Sequence, residues 1–170
     1  DLTPAILRLL RQSGERTITI APETGSDRLR RVINKTITND EILAAAEMIF
    51  AAGFENLKLY FMIALPTETE DDLVAIRDLS VQLRDVMMRH ARGRGHIGRI
   101  VGSVNPLVPK PGTAYQWLPM EADASIERKI RRMRPELGSP LVRRVFQGSD
   151  TCSSITVSQW SARSPCSRCS

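Results

Sequence analysis

The chain has 170 residues, 42% of them hydrophobic, enough for one domain with a real core. No apolar run approaches the ~20 residues a membrane helix needs, and the opening DLTPAILRLLRQSG lacks the basic-then-apolar pattern of a secretory signal. The net charge of +5 comes mostly from arginine; a nucleic-acid partner is possible on that balance, but Arg and Lys are scattered among acids, as on solvated helix faces.

Thr3-Pro4 opens a helix, with a hydroxyl at the cap and proline in the first turn. Ile6, Leu7 and Leu10 form its apolar stripe, and Gly14 ends it. A short strand over Thr17 to Ile20 leaves through a turn from Ala21 to Ser26, and Ser26 or Asp27 caps a short helix reaching about Ile33. Thr38-Asn39-Asp40-Glu41 has capping-box spacing, and Ile42, Leu43, Ala46, Ile49 and Phe50 mark the buried face of a helix that stops at Gly53.

Leu57, Leu59, Tyr60, Phe61, Met62, Ile63 and Leu65, interrupted only by Lys58, predict a strand buried on both faces. Pro66 ends it. Thr67 with Glu70, or Thr69 with Asp72, is spaced to cap the next helix, whose first turn is crowded with carboxylates. Leu73, Ile76, Leu79, Leu83 and Val86 carry that helix to about Arg89. Parallel sheets bind ligands at the carboxyl ends of their strands, so the loop Pro66-Thr67-Glu68-Thr69 is the first candidate working surface.

A loop over Arg92 to Gly95 leads to a third strand, Ile97 to Val104. The following Asn105 to Thr113 is too rich in proline for a central strand or a helix. A basic helix over Ala122 to Arg134 comes last. Three βα units at a spacing of roughly forty residues make an α/β fold, either an open sheet or a piece of a barrel, since a closed eight-unit barrel needs ~250 residues. Residues 1–146 form this core. Residues 147–170 are a serine- and cysteine-rich tail, expected to be disordered or irregular.

Several signals read as ordinary structure. Gly93 to Gly98 fits G-x-G-x-x-G but lies after a helix and before a strand, the reverse of a dinucleotide site. His90 and His96 have no partners at ligand spacing and read as solvent-facing, Met87 and Met88 as helix packing or exposed surface, and Glu68 and Glu70 as acids favoured by a helix dipole. Trp117 suits either stacking on a ligand or covering the open end of the core. Cys152, Cys166 and Cys169 all fall in the tail, with spacing unlike a metal site; a cysteine-free core suits a cytoplasmic protein without structural disulfides.

Pro22-Glu23-Thr24-Gly25-Ser26-Asp27-Arg28-Leu29, then Asn34-Lys35, then Tyr60 to Glu70, resemble the radical S-adenosylmethionine family. Val108 to Trp117 resembles a segment carried by its B12-binding-domain-linked members. The resemblance covers about residues 17 to 117 and implies strands four to six of a (β/α) barrel, that is, a partial barrel of about three parallel βα units from the C-terminal part of the core. It implies S-adenosylmethionine and a [4Fe-4S] cluster as the family's cofactors, reductive cleavage of S-adenosylmethionine as the parent's reaction, an unknown substrate, and the N-terminal half of the barrel as the missing partner; a chain that begins at Asp1 directly before a helix also reads as a fragment.

By position, the resemblance gives Glu23 and Lys35 the cofactor's amino or ribose groups and its carboxylate. Ser26 would add a hydroxyl contact, and the loop from Asn105 to Pro109, including Val108, would offer backbone groups to adenine. The family's C-x-x-x-C-x-x-C loop, which holds the cluster, is absent from this sequence. Ala64 replaces a usual glycine and Tyr60 an often acidic residue. The expectation is therefore no catalytic residue and no metal ligand here, and a polypeptide inactive by itself. The alternative expectation is a non-catalytic RNA-binding α/β module using Arg128, Lys129, Arg131, Arg132, Arg134, Arg143 and Arg144.

Overall fold

A computed structural model describes residues 2–92 and 95–133, together with the strand backbones of 142–145 and 154–157. The apolar run at the centre of the chain is strand β2 (Asn56–Ile63), flanked by β1 (Thr17–Glu23) and β3 (Ile100–Pro106). All three are parallel: Thr17 to Ile20 pair with Asn56 to Leu59, and Leu57 to Ile63 with Ile100 to Pro106. Two short strands that the sequence did not announce, β4 (Val142–Val145) and β5 (Ser154–Val157), extend the sheet antiparallel in the order β1-β2-β3-β5-β4. The fold is mixed α/β, with three parallel strands in one sheet. The remainder of the expected tail, cysteines included, lies outside the described residues.

The helices begin and end where backbone chemistry requires. Thr3 caps α1 (Pro4–Gln12) by accepting from Ile6 N–H at 3.3 Å, and Thr38 and Glu41 form the full capping box of α3 (Asn39–Ala51). Both end in the same way. Gly14 and Gly53 adopt φ of 92° and 94°, and Glu15 and Phe54 N–H groups reach back to Leu10 and Ile49 carbonyls, which satisfies otherwise orphaned acceptors.

The core lies between the sheet and the helices. Leu57, Leu59, Phe61 and Ile63 of β2 are at most 1% exposed and join Ile42, Ile49 and Phe50 of α3 and Leu73, Ile76, Leu79 and Leu83 of α4 (Glu70–Ala91). Each such side chain contributes roughly 1.5–3 kcal/mol by leaving water. Burial along β2 nevertheless alternates: Lys58, Tyr60 and Met62 are only half-buried. The reading of a strand buried on both faces is thus corrected, because the second face stands away from the α3 and α4 layer. There Lys58 Nζ lies 4.8 Å from the centre of the Tyr60 ring, a cation–π contact.

Two boundaries also move. β1 continues through Glu23, with an irregular register after Ile20. β3 begins at Ile100, not Ile97, because Gly98 is pressed against Glu55, where a Cβ would meet the Glu55 carbonyl oxygen at 1.6 Å. It ends at Pro106, beyond the stretch paired with β5, so the missing N–H leaves no ladder bond unmade. The last helix, α5 (Asp123–Met133), seats Ile126 and Met133 in the core.

Candidate functional site

The carboxyl ends of β1, β2 and β3 line up on one rim. Glu23 closes β1 opposite Phe61, and Asn105 pairs with Met62 near the end of β3. Two strand spacings, roughly 10 Å, separate the backbones of β1 and β3. Val108 is half-buried and lies two residues beyond the end of β3.

Glu23 and Lys35, which the family resemblance assigns to one cofactor, meet in space. Lys35 Nζ lies 3.1 Å from Glu23 Oε1 and donates to Ala21 O at 2.6 Å. Local structure brings them there. Helix α2 (Asp27–Val32) ends with Asn34 at φ 58°, and the Asn34 and Lys35 N–H groups donate to Arg31 and Arg30 carbonyls. Asn tolerates this left-handed cap, which turns Lys35 back toward β1. Glu23 itself has φ 66°. Both side chains remain partly open to solvent, at 26% and 35% exposure.

The residues after Glu23 also hold the local fold. Thr24 Oγ1 donates to Ser26 O at 3.0 Å, and Gly25 lies so close to α4 that a Cβ would stand 2.0 Å from Ile76 N. Ser26 caps α2, accepting from Leu29 N–H at 3.1 Å, and donates to Asp72 Oδ1 at 2.5 Å. Arg30 is fully buried and donates to Thr24 O and Asp27 Oδ1, each at 2.5 Å, and also to Asn39 Oδ1. Desolvation pushes the Asp27 carboxyl up, but the bonds from Arg30 and Asn39 N–H outweigh it and hold it low.

Asp72 was legible only as an overlapping cap. It forms the capping box with Thr69, whose N–H and hydroxyl both donate to Oδ2 at 2.8 Å, and Arg28 pairs with the same oxygen. The Thr67–Glu70 option is corrected: Thr67 sits at φ 63°, before the helix, and its carbonyl accepts from Arg28 Nη2 at 2.8 Å. Burial raises the Asp72 carboxyl, yet Arg28, Ser26 and Thr69 together bring it down to about 2.

Glu68, read as an acid favoured by a helix dipole, lies before the first turn of α4 and is held by other partners. Its side chain is 2% exposed and accepts from Ala64 N–H at 3.1 Å and from Lys129 Nζ at 2.6 Å. Desolvation pushes its carboxyl up in spite of these bonds. The basic face of α5 is matched by acids: Lys129 also reaches Glu121 at 2.7 Å, Arg131 lies 3.8 Å from Glu127, and Arg132 3.4 Å from Glu70. The side chains of Arg134, Arg143 and Arg144 lie outside the described residues.

The solvent-facing reading holds for His96, which is exposed and lies 3.6 Å from Glu55. It is corrected for His90, which is half-buried, with Nε2 2.6 Å from Glu47 Oε2 and its ring stacked on Phe50. Hydrogen bonds from His90 and Arg89 hold the Glu47 carboxyl low. Trp117 is 86% exposed. Among the described residues there is no cluster of His, Cys, Asp and Glu poised to hold a metal, and no helix long and apolar enough to cross a membrane.

Open α/β sheets that bind ligands do so outside the carboxyl ends of their strands, and the Glu23–Lys35 pair lies at that rim. Residues 1–80 match the family model of the Radical SAM superfamily. The chain is also 35% identical, over 136 residues, to an uncharacterized protein of Methanocaldococcus jannaschii. That match takes in 80% of this chain and 27% of the relative, so the chain spans about a quarter of the protein it matches.

Proposed function

We propose that this chain is a member of the radical S-adenosylmethionine family and forms the C-terminal part of its barrel core, strands four to six, in a B12-binding-domain-linked protein. The single observation that carries this reading is the Glu23–Lys35 pair at the sheet's carboxyl rim. The match to the Radical SAM superfamily model supports the family, and the small fraction of the relative that is matched supports a longer parent.

The rim suits S-adenosylmethionine by its donor set. Lys35 carries an ammonium for the ligand's carboxylate, and Glu23 a carboxylate for its amino or ribose groups, so a zwitterionic ligand would replace the internal pair by two charge-assisted contacts. Asn105 and Val108 would border the adenine. When bound, the cofactor supplies a sulfonium bond for reductive cleavage in the parent. The C-x-x-x-C-x-x-C loop that would hold the [4Fe-4S] cluster is missing from this sequence. The cluster's ligands are assigned to the rest of the parent.

The same remainder is the proposed partner. Among the described residues β1 has β2 as its one strand neighbour, and α1 leaves Ile6 and Leu9 at 43% and 66% exposure. An open strand edge is where a further strand would join, and exposed apolar side chains are where a further layer would pack. The chain alone is inactive in this reading, and its compartment is the cytoplasm. Calorimetric titration with S-adenosylhomocysteine, which retains the amino acid and nucleoside groups, tests the assignment; absence of binding would refute it.

A further inference from the structure

The turn from β2 into α4 holds Ala64 and Thr67 at φ 61° and 63°, a backbone state that L-residues disfavour. Glu68 braces this turn from inside, since its Oε1 accepts from Ala64 N–H at 3.1 Å and its own N–H donates to Leu65 O at 3.1 Å. The brace is itself a liability, because a carboxylate only 2% exposed needs a counter-charge. That charge comes from a distant element: Lys129 of α5 donates to Glu68 Oε1 at 2.6 Å and to Glu121 Oε2 at 2.7 Å. Desolvation pulls the Lys129 ammonium down, but the bonds to Glu121 and Glu68 outweigh it and raise it. Arg28 holds the outer side of the same turn through Thr67 O, from a side chain 46% exposed.

We propose that Lys129 is a positioning residue: by neutralising the buried Glu68 carboxylate it fixes the Ala64–Thr69 turn, and with it the backbone of the rim between Glu23 and Asn105. The docking of α5 thereby sets the shape of the cleft floor. Its consequence for ligand binding rests on the cofactor reading above; the fixing of the turn does not.

The test is amide hydrogen exchange on the whole chain, resolved at Ala64 and at Leu59 in the core strand, combined with titration of S-adenosylhomocysteine. Lys129→Met is expected to speed exchange at Ala64 at least ~10-fold with Leu59 unchanged, and to weaken ligand binding about as much. Lys129→Arg, which keeps the charge, is expected to restore slow exchange. If Lys129→Met also loosens Leu59, the double variant Glu68→Gln with Lys129→Met removes both charges and is expected to return protection to both amides. Unchanged exchange at Ala64 in Lys129→Met would overturn the proposal, as would a Lys129→Arg chain as labile as the methionine variant. A response at Ala64 in a chain that binds no S-adenosylhomocysteine would support the positioning role and refute the cofactor reading.

Discussion

Ser26 Oγ donates to Asp72 Oδ1 across 2.5 Å and so joins the cap of α2 to the first turn of α4, 46 residues later in the chain. With Arg28 and Thr69 on the same carboxylate, Asp72 is the knot of the rim's scaffold. Because its folded-state value of about 2 lies below the ordinary 3.8, it stabilises fully above pH ~4, and the stabilisation is lost as pH falls toward 2. The shift corresponds to about 2 kcal/mol. Urea unfolding at pH 7 should find Asp72→Asn weaker by about that amount, with a flatter stability profile between pH 4 and 2. An Asn variant with the wild-type acid profile would contradict the assignment.

Gly25 allows α4 to approach the β1 exit. An alanine Cβ there would meet Ile76 N at 2.0 Å and Ala75 C at 2.2 Å, both backbone atoms that cannot swing aside. Gly25→Ala is expected to lose at least ~3 kcal/mol or to fail to fold. Thermal denaturation checks this, and a melting temperature near wild type would show that the contact is relaxed in solution.

Ala64 holds a left-handed backbone, φ 61°, at the position where the resembled family usually has glycine. Removing its Cβ relieves local strain while leaving the Glu68 bond to the N–H in place. Ala64→Gly is expected to gain up to ~1 kcal/mol despite the greater freedom of the unfolded chain. A loss of similar size in chemical denaturation would count against it.

These cases also show what a linear reading reaches. The caps Thr3, Ser26 and Thr38 and the α4 stripe from Leu73 to Val86 were legible because their partners lie three or four residues away. The even apolar run of β2 hid its alternation, since Tyr60 and Met62 are apolar enough to pass for core. Partnerships at long range left no local trace: Ser26 with Asp72, Glu68 with Lys129, His90 with Glu47. In the segment from Glu23 to Asp27 the family resemblance gives cofactor contacts to Glu23 and Ser26. Glu23 faces Lys35 on the rim, and Thr24, Gly25, Ser26 and Asp27 also hold helices together, a role with no local signature beyond the Ser26 cap.

The central claim is that Glu23 and Lys35 form half of a cleft for S-adenosylmethionine, and the most direct measurement is calorimetric titration of S-adenosylhomocysteine into wild type, Lys35→Met and Glu23→Gln chains. Each contact to a charged group contributes about 1.5–3 kcal/mol, so each substitution should weaken binding by roughly 10- to 100-fold while leaving the melting temperature nearly unchanged. Binding that is equally tight in all three chains, or undetectable in the folded wild type, would contradict the account.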